Sequence, residues 1–186
     1  PIIVHPDVRK MLLTAKAYAE GARALQIYCT LLLDKSHHHP DEKVRKDSDE
    51  LVALLTPIVK AFITDNGHVA TNACMQVFGG HGFIKEWGME QHVRDNRINM
   101  IYEGTNTVQS LDLLGRKVLG NQGATLKKLG KLIGQLVVEE GVNEKMAEFI
   151  NPVAMLGDQM TKFTTEIGFK GMQNPDEVGA AAVDYL

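Results

Sequence analysis

Val8, Met11, Leu12, Ala15, Tyr18, Ala19, Ala22, Leu25, Cys29 and Leu32 follow one another at steps of three and four residues. That spacing puts them on one face of an α-helix of about seven turns, since 3.6 residues complete each turn. Leu13, Ala17, Ala24, Ile27 and Leu31 make the other face apolar as well. A helix apolar nearly all round needs partners on more than one side, so the pattern calls for a bundle or a subunit interface. Pro6 suits its first turn, where a missing N–H costs nothing.

The rest of the chain repeats the helical period, and no alternating strand pattern persists, so the predicted class is all-α. Ser36 to Pro40 reads as a loop. A second helix follows through Leu51, Leu54, Leu55, Ile58, Phe62, Val69, Ala73 and Val77. Pro57 interrupts it, either as a kink or as the first residue of a fresh helix capped by Thr56. Gly79-Gly80 ends it. A short helix is predicted over Gly88 to Asp95, then an irregular turn from Asn96 to Gly104, then a helix capped by Thr105 through Val108, Leu111, Leu114 and Val118.

Gly120-Asn121-Gln122-Gly123 marks the boundary of a second, smaller helical unit. Its helices run through Leu126 to Leu136 and Val153 to Ile167. Asn151-Pro152 and Asn174-Pro175 each place a capping residue before a proline. The last run, through Val178, Ala182 and Tyr185, has no terminator, which predicts a truncated final helix and a chain that is a piece of something longer.

Composition narrows the function classes. Twenty Lys and Arg against 23 Asp and Glu give a formal charge of −3 with no long basic block, which argues against a nucleic-acid partner. The two cysteines, Cys29 and Cys74, lie in helical stretches and read as buried free thiols of a reducing compartment. No signal peptide or bilayer-length apolar run is visible, so the expected location is cytoplasmic. His37-His38-His39 lacks a companion ligand at metal spacing and reads as surface histidine, so no metal site is expected. The eight methionines read as core.

Ile101-Tyr102-Glu103-Gly104-Thr105 sets a carboxylate between an apolar-aromatic pair and a glycine, just before a helix. A carboxylate stripped of water there would be a stronger base. A glutamate ahead of an N-cap is also favoured by the helix dipole whatever its task. Gly79-Gly80-x-Gly82 lets backbone amides approach a phosphate or a flat ring, yet a glycine pair is equally a helix stop. No strand precedes it, so it is not a dinucleotide-binding fingerprint. His81 beside it reads as a solvent-facing filler. Arg94, Asp95 and Arg97 read as an ion pair bracing the turn before Glu103.

The order of these motifs carries more than any one alone. Gln76-x-x-Gly79-Gly80-x-Gly82-Phe83, Glu90, Arg94-Asp95-x-Arg97-Ile98, Ile101-Tyr102-Glu103-Gly104-Thr105 and Arg116 together resemble the C-terminal helical domain of the flavin-dependent acyl-CoA dehydrogenases. The resemblance covers residues 5–120 and implies a partial four-helix bundle over residues 1–120, with the domain's first helix missing. Residues 121–186 resemble the C-terminal extension of a bacterial subgroup acting on long-chain or sulfur-containing acyl-CoAs. The family resemblance implies an oxidoreductase of lipid metabolism and fatty acid β-oxidation, with FAD as cofactor and acyl-CoA as substrate. An electron-accepting flavoprotein and a homo-oligomer, dimer or tetramer, are the implied partners. Glu103 would take the α-proton of the acyl-CoA to give a trans-2-enoyl-CoA, and Gly104 would line the acyl site. Thr105 and Thr107 would touch FAD, while Gln76, Gly79 and Gly80 would touch the FAD of a neighbouring subunit. The family's upstream domains lie outside these residues, so the 186 residues alone are expected to be inactive. The alternative is a helical oligomerisation module with no chemistry of its own.

Overall fold

Two long helices form the frame of the chain. In the computed structural model, which describes residues 1–186, α1 spans Pro6–His38 and α2 spans Glu42–Val77. Pro6 stands in the first turn of α1 beside Asp7, and Lys35, His37 and His38 occupy its last turn, so charge complements the helix dipole at both ends. The helix runs further than the expected loop from Ser36 allows. It stops only at His39, whose extended backbone is what a residue before proline requires. Asp41 then caps α2 by accepting from the Lys43 amide at 2.8 Å, and the Arg45 guanidinium bonds the His39 carbonyl at 2.7 Å. A three-residue turn so braced folds α2 back along α1.

Pro57 does not begin a new helix. It is buried within α2, and the Thr56 hydroxyl donates back to the Val52 carbonyl at 2.7 Å instead of capping a fresh first turn. Packing of Leu51, Leu54 and Leu55 on the same stretch holds the helix through the lost hydrogen bond. Gly79 then breaks it with φ +60, as the glycine pair predicted.

Short elements follow: α3 (Gly80–Phe83), a 3₁₀ turn (Lys85–Trp87) and α4 (Met89–Asn99), which extends a turn beyond the expected Asp95. α5 (Asn106–Leu111) starts at the expected N-cap, Thr105, whose hydroxyl accepts from the Val108 amide at 3.3 Å. It runs on into a π-helical segment, Asp112–Val118. After left-handed Gln122 and Gly123 come α6 (Ala124–Glu140), α7 (Ala147–Gln173) and α8 (Asp176–Tyr185). Asn151-Pro152 is not a helix start, because α7 already begins at Ala147 and carries Pro152 inside it. The proline falls early in the helix, where one lost hydrogen bond leaves the longer run to Gln173 intact. Asn174 behaves as expected, its side chain accepting from the Asp176 amide at 3.1 Å.

The fold is all-α, and its main core gathers residues far apart in sequence. Leu54 of α2, Leu113, Leu114 and Val118 of the π-helical segment, Ile167 of α7, and Ala182 and Tyr185 of α8 pack into one cluster. A smaller cluster of Leu32, Leu51 and Leu55 lies beside the α1–α2 turn. Lys128 of α6 pairs with Asp47 at 2.5 Å and with Glu50, tying the C-terminal segment to α2 by charge as well. The methionines are not the core: none is buried, and Met172 is 83% exposed. Leucine and tyrosine fill that role. No helix is long and apolar enough to cross a membrane.

Candidate active site

Glu103 sits at the tip of the loop between α4 and α5 with φ +56, and Gly104 follows at φ +78. Left-handed backbone at a non-glycine residue costs about 1–2 kcal/mol, so other contacts must hold it. Those contacts are present. The Glu103 carbonyl accepts from the Gln109 side-chain amide at 3.2 Å, and the Gly104 carbonyl accepts from Lys60 Nζ at 2.9 Å. The Asn106 amide closes the loop onto the Met100 carbonyl at 3.2 Å. At Gly104 a Cβ would lie 3.1 Å from Gln109 Nε2 in a conformation side chains avoid, so both the backbone and the space beside it favour glycine.

The second layer is a polar network between α2 and the start of α5. Asn106 Oδ1 accepts from Lys60 Nζ at 2.6 Å, while Asn106 Nδ2 donates to Asp65 at 2.6 Å and to the Thr64 hydroxyl at 3.1 Å. Burial pulls the Lys60 ammonium below the usual lysine range, and the nearby Asp65 carboxylate pulls it part of the way back. Sequence reading did not single out Lys60 or Asn106. One signal was there: Lys60 is the only charged residue between Glu50 and Asp65, alone in an otherwise apolar helical stretch.

The carboxylate itself is exposed. Ile101 and Tyr102, expected to strip water from it, are 46% and 52% exposed, so residues of this chain do not desolvate Glu103. The reason is the loop: the left-handed turn projects the whole segment beyond the helices that would cover it. The amides of Glu103, Gly104 and Thr105 have no acceptor within the chain, leaving three donors beside the carboxylate.

The expected ion pair before this loop does not form. Asp95 accepts from the Gln91 side chain at 2.6 Å, and Arg97 Nη1 lies 3.2 Å from the Met100 sulfur. Partners within four residues, Gln91 for Asp95 and the C-cap residue Met100 for Arg97, are met first. Arg94 and Arg97 instead line a cleft of about 670 Å³ between α2 and α4, together with Phe83, Ile98 and Ile101.

The candidate cofactor residues fall into two groups. Thr105 and Thr107 lie beside Glu103 and are exposed. Gln76, Gly79 and Gly80 are exposed at the far end of α2, and a Cβ on either glycine would meet nothing within 4 Å. Asp65, where the Glu103 loop is anchored, and Gln76 are separated along the helix by roughly 17 Å at 1.5 Å per residue. The two groups fit a long ligand or two ligands, each meeting exposed backbone and polar side chains, and do not close one pocket. His81 is exposed and stacks edge-on against Trp87, with ring centroids 5.2 Å apart. Cys29 and Cys74 are free thiols. His37 and His38 lie in the last turn of α1, and no cluster of side chains suited to a metal ion occurs.

Fold and site together define an all-α segment that presents one carboxylate on a braced loop, beside free amides and an exposed glycine turn. The chain belongs to the acyl-CoA dehydrogenase family: residues 1–119 match the family model described as acyl-CoA dehydrogenase, C-terminal domain. It is 45% identical over 133 residues to the 3-methylmercaptopropionyl-CoA dehydrogenase of Ruegeria pomeroyi, covering 72% of this chain and 22% of that protein. A butyryl-CoA dehydrogenase of Syntrophomonas wolfei is 34% identical over 166 residues, covering 89% of this chain and 27% of its own length. The broad-specificity linear acyl-CoA dehydrogenase of Mycobacterium tuberculosis is 34% identical over 137 residues, with 72% and 22% covered. The chain thus spans 22% to 27% of the length of these relatives.

Proposed function

We propose that this chain is the C-terminal part of an FAD-dependent acyl-CoA dehydrogenase that converts acyl-CoA to trans-2-enoyl-CoA, with Glu103 as the base. Residues 1–120 would be the helical domain and residues 121–186 its extension. The observation that carries the reading is the loop itself: Glu103 is held in a left-handed conformation with its own carbonyl and the next one both bonded to side chains. Such bracing is how a fold keeps a costly backbone geometry where chemistry needs it. A base acting on the α-carbon of a thioester must be aimed within hydrogen-bond reach of that proton, and donors must meet the charge growing on the carbonyl oxygen. Glu103 supplies the first, and the free amides of residues 103–105 are candidates for the second.

FAD, when bound, supplies the acceptor for the hydride leaving the β-carbon. Thr105 and Thr107 would contact it beside the base. The separation of Gln76, Gly79 and Gly80 from that loop supports their serving a cofactor held by a second subunit, which in turn implies a homo-oligomer. Because Glu103 is exposed here, its desolvation would come from substrate, flavin and neighbouring domains. An electron-accepting flavoprotein would reoxidise the flavin.

Glu103→Gln in the flavin-loaded full-length protein is the test. Size and most hydrogen bonding are kept, while proton-accepting power is lost. Turnover should fall by about 100- to 10,000-fold, with flavin content, acyl-CoA binding and melting temperature near wild type. If Glu103 only serves the helix dipole, the variant loses at most about 1 kcal/mol of stability and stays active. Near-normal dehydrogenation would therefore overturn the assignment.

A further inference from the structure

We propose that Lys60 is a positioning residue for Glu103, and that the hydrogen-bond chain from Asp65 through Asn106 and Lys60 to the Gly104 carbonyl fixes the direction in which the Glu103 carboxylate points. The inference rests on reading Glu103 as the base.

The geometry has three parts. First, Lys60 lies more than 40 residues upstream of the loop yet reaches it with one ammonium that bonds both the Gly104 carbonyl and Asn106 Oδ1. Rotating the peptide after Gly104 would break the first bond, so the ammonium locks the plane of the peptide that follows the left-handed pair. Second, Asn106 is itself oriented. Its Nδ2 donates to Asp65 and Thr64, which forces Oδ1 toward the lysine, and the Thr64 hydroxyl is held in turn by the Lys60 backbone carbonyl at 2.8 Å. Third, Lys60, Thr64 and Asp65 occupy successive turns of α2, a rigid frame of 36 residues. A site fixed to a helix keeps its geometry better than one carried by a free loop.

The network is more than a surface ion pair. All four side chains are half-buried, and Lys60 makes no direct salt bridge: its hydrogen-bonded link to Asp65 runs through Asn106. The ammonium commits one of its three donors to the loop carbonyl and a second to Asn106 Oδ1. Gln109 holds the Glu103 carbonyl, so the two successive carbonyls that begin with the base's own are fixed by different side chains. Neither Lys60 nor Asn106 touches the reacting atoms on this reading. Their effect passes through Glu103.

That dependence makes the idea testable in the flavin-loaded full-length protein. Lys60→Met keeps the aliphatic stem and removes the ammonium. A displacement of the base by about 1 Å can cost on the order of 100-fold in rate, so kcat should fall about 10- to 100-fold, with KM for acyl-CoA changing far less. Exchange of the Asn106 amide, the one in residues 103–106 that is hydrogen-bonded, should speed up in parallel. The decisive comparison is with Glu103→Gln: the double variant should be no slower than Glu103→Gln alone, because a positioning residue has nothing left to position. A purely structural lysine would subtract further activity from both backgrounds.

A second pair of variants covers loss of folding in the first. Asn106→Asp alone breaks the donor bond to Asp65 and sets two carboxylates face to face, so kcat should fall. Combining it with Asp65→Asn restores a donor at 65 and an acceptor for Lys60 at 106, and kcat should recover. Wild-type kcat and unchanged exchange in Lys60→Met, or no recovery in the swapped pair, overturns the positioning role while leaving Glu103 as base. Full activity in Glu103→Gln overturns the base and this inference with it.

Discussion

The two ends of the α1–α2 hairpin are built differently. At the turn end, Leu32, Leu51, Leu54 and Leu55 are buried, and α6, α7 and α8 close over them with Leu114 and Val118 wholly enclosed. At the other end, no residue from Arg9 to Leu31 is buried, and from Phe62 to Gln109 only Gly82 is. Yet that open end carries Gln76, Gly79 and Gly80, and the stretch up to Gln109 contains the Glu103 loop. The chain places its stability in one half and its candidate chemistry in the other. Where core burial is absent, the Glu103 loop is held by directed hydrogen bonds from Lys60, Asn106 and Gln109. Hydrogen bonds fix a direction, which hydrophobic contact does not.

Matched truncations test this contrast most severely. Leu114→Ala empties a site with no solvent access and should cost about 2–5 kcal/mol in equilibrium denaturation. Leu13→Ala, at a position 68% exposed, should stay within about 0.5 kcal/mol. Equal costs at both positions would mean that the open half is covered as tightly as the core.

A middle-sized effect is expected on association. Leu13, Ile27 and Leu31 present an apolar stripe on the outer face of α1, with exposures from 48% to 68%. If a second copy covers that stripe, replacing Leu13 and Ile27 by Glu should weaken self-association by about tenfold or more per residue, from the roughly 1.5 kcal/mol each buried side chain contributes. Sedimentation of wild type and double variant side by side reads this directly. An unchanged oligomer would move the interface off α1.

The smallest effect concerns the charge tie across the closed half. The Lys128 hydrogen bond holds the Asp47 carboxyl below its ordinary range, and bonds to Asp47 and then Glu50 raise Lys128 above the usual lysine value. A lowered carboxyl pKa adds stability above the unfolded value near ~3.9, and that stability is lost as pH falls through the folded value. A raised lysine pKa adds stability below the unfolded value near ~10.4, lost as pH rises through the folded one. Both partners are only half-buried, so salt should screen the effect. The melting temperature of Lys128→Met should sit slightly below wild type at neutral pH and low salt. The gap should narrow as pH falls below ~3.9 or in molar salt, and a gap indifferent to both would point to packing of the lysine stem instead.

The features legible in the chain alone were local in origin. The period of α1, the proline in its first turn, the Thr105 cap and the helix stop at Gly79 each depend on residues within a turn or two, and propensity and capping act over that range. The ordered motif from Gln76 to Thr105 was legible for another reason, since it repeats a known family's arrangement. Tertiary structure decided what depends on partners distant in the chain. Pro57 read as a kink or a fresh start and Pro152 as a helix start, and packing and position carry α2 and α7 through them. The methionines read as core, but leucines, Val118, Ile167 and Tyr185 from distant parts of the chain fill it, and Met160 only packs against its edge. Arg94, Asp95 and Arg97 read as an ion pair, and partners within four residues took Asp95 and Arg97 first. The exposure of Glu103 and the grip of Lys60 on its loop were the least legible. A contact across 44 residues has no local periodicity to announce it, and it exists only because α2 folds beneath the loop.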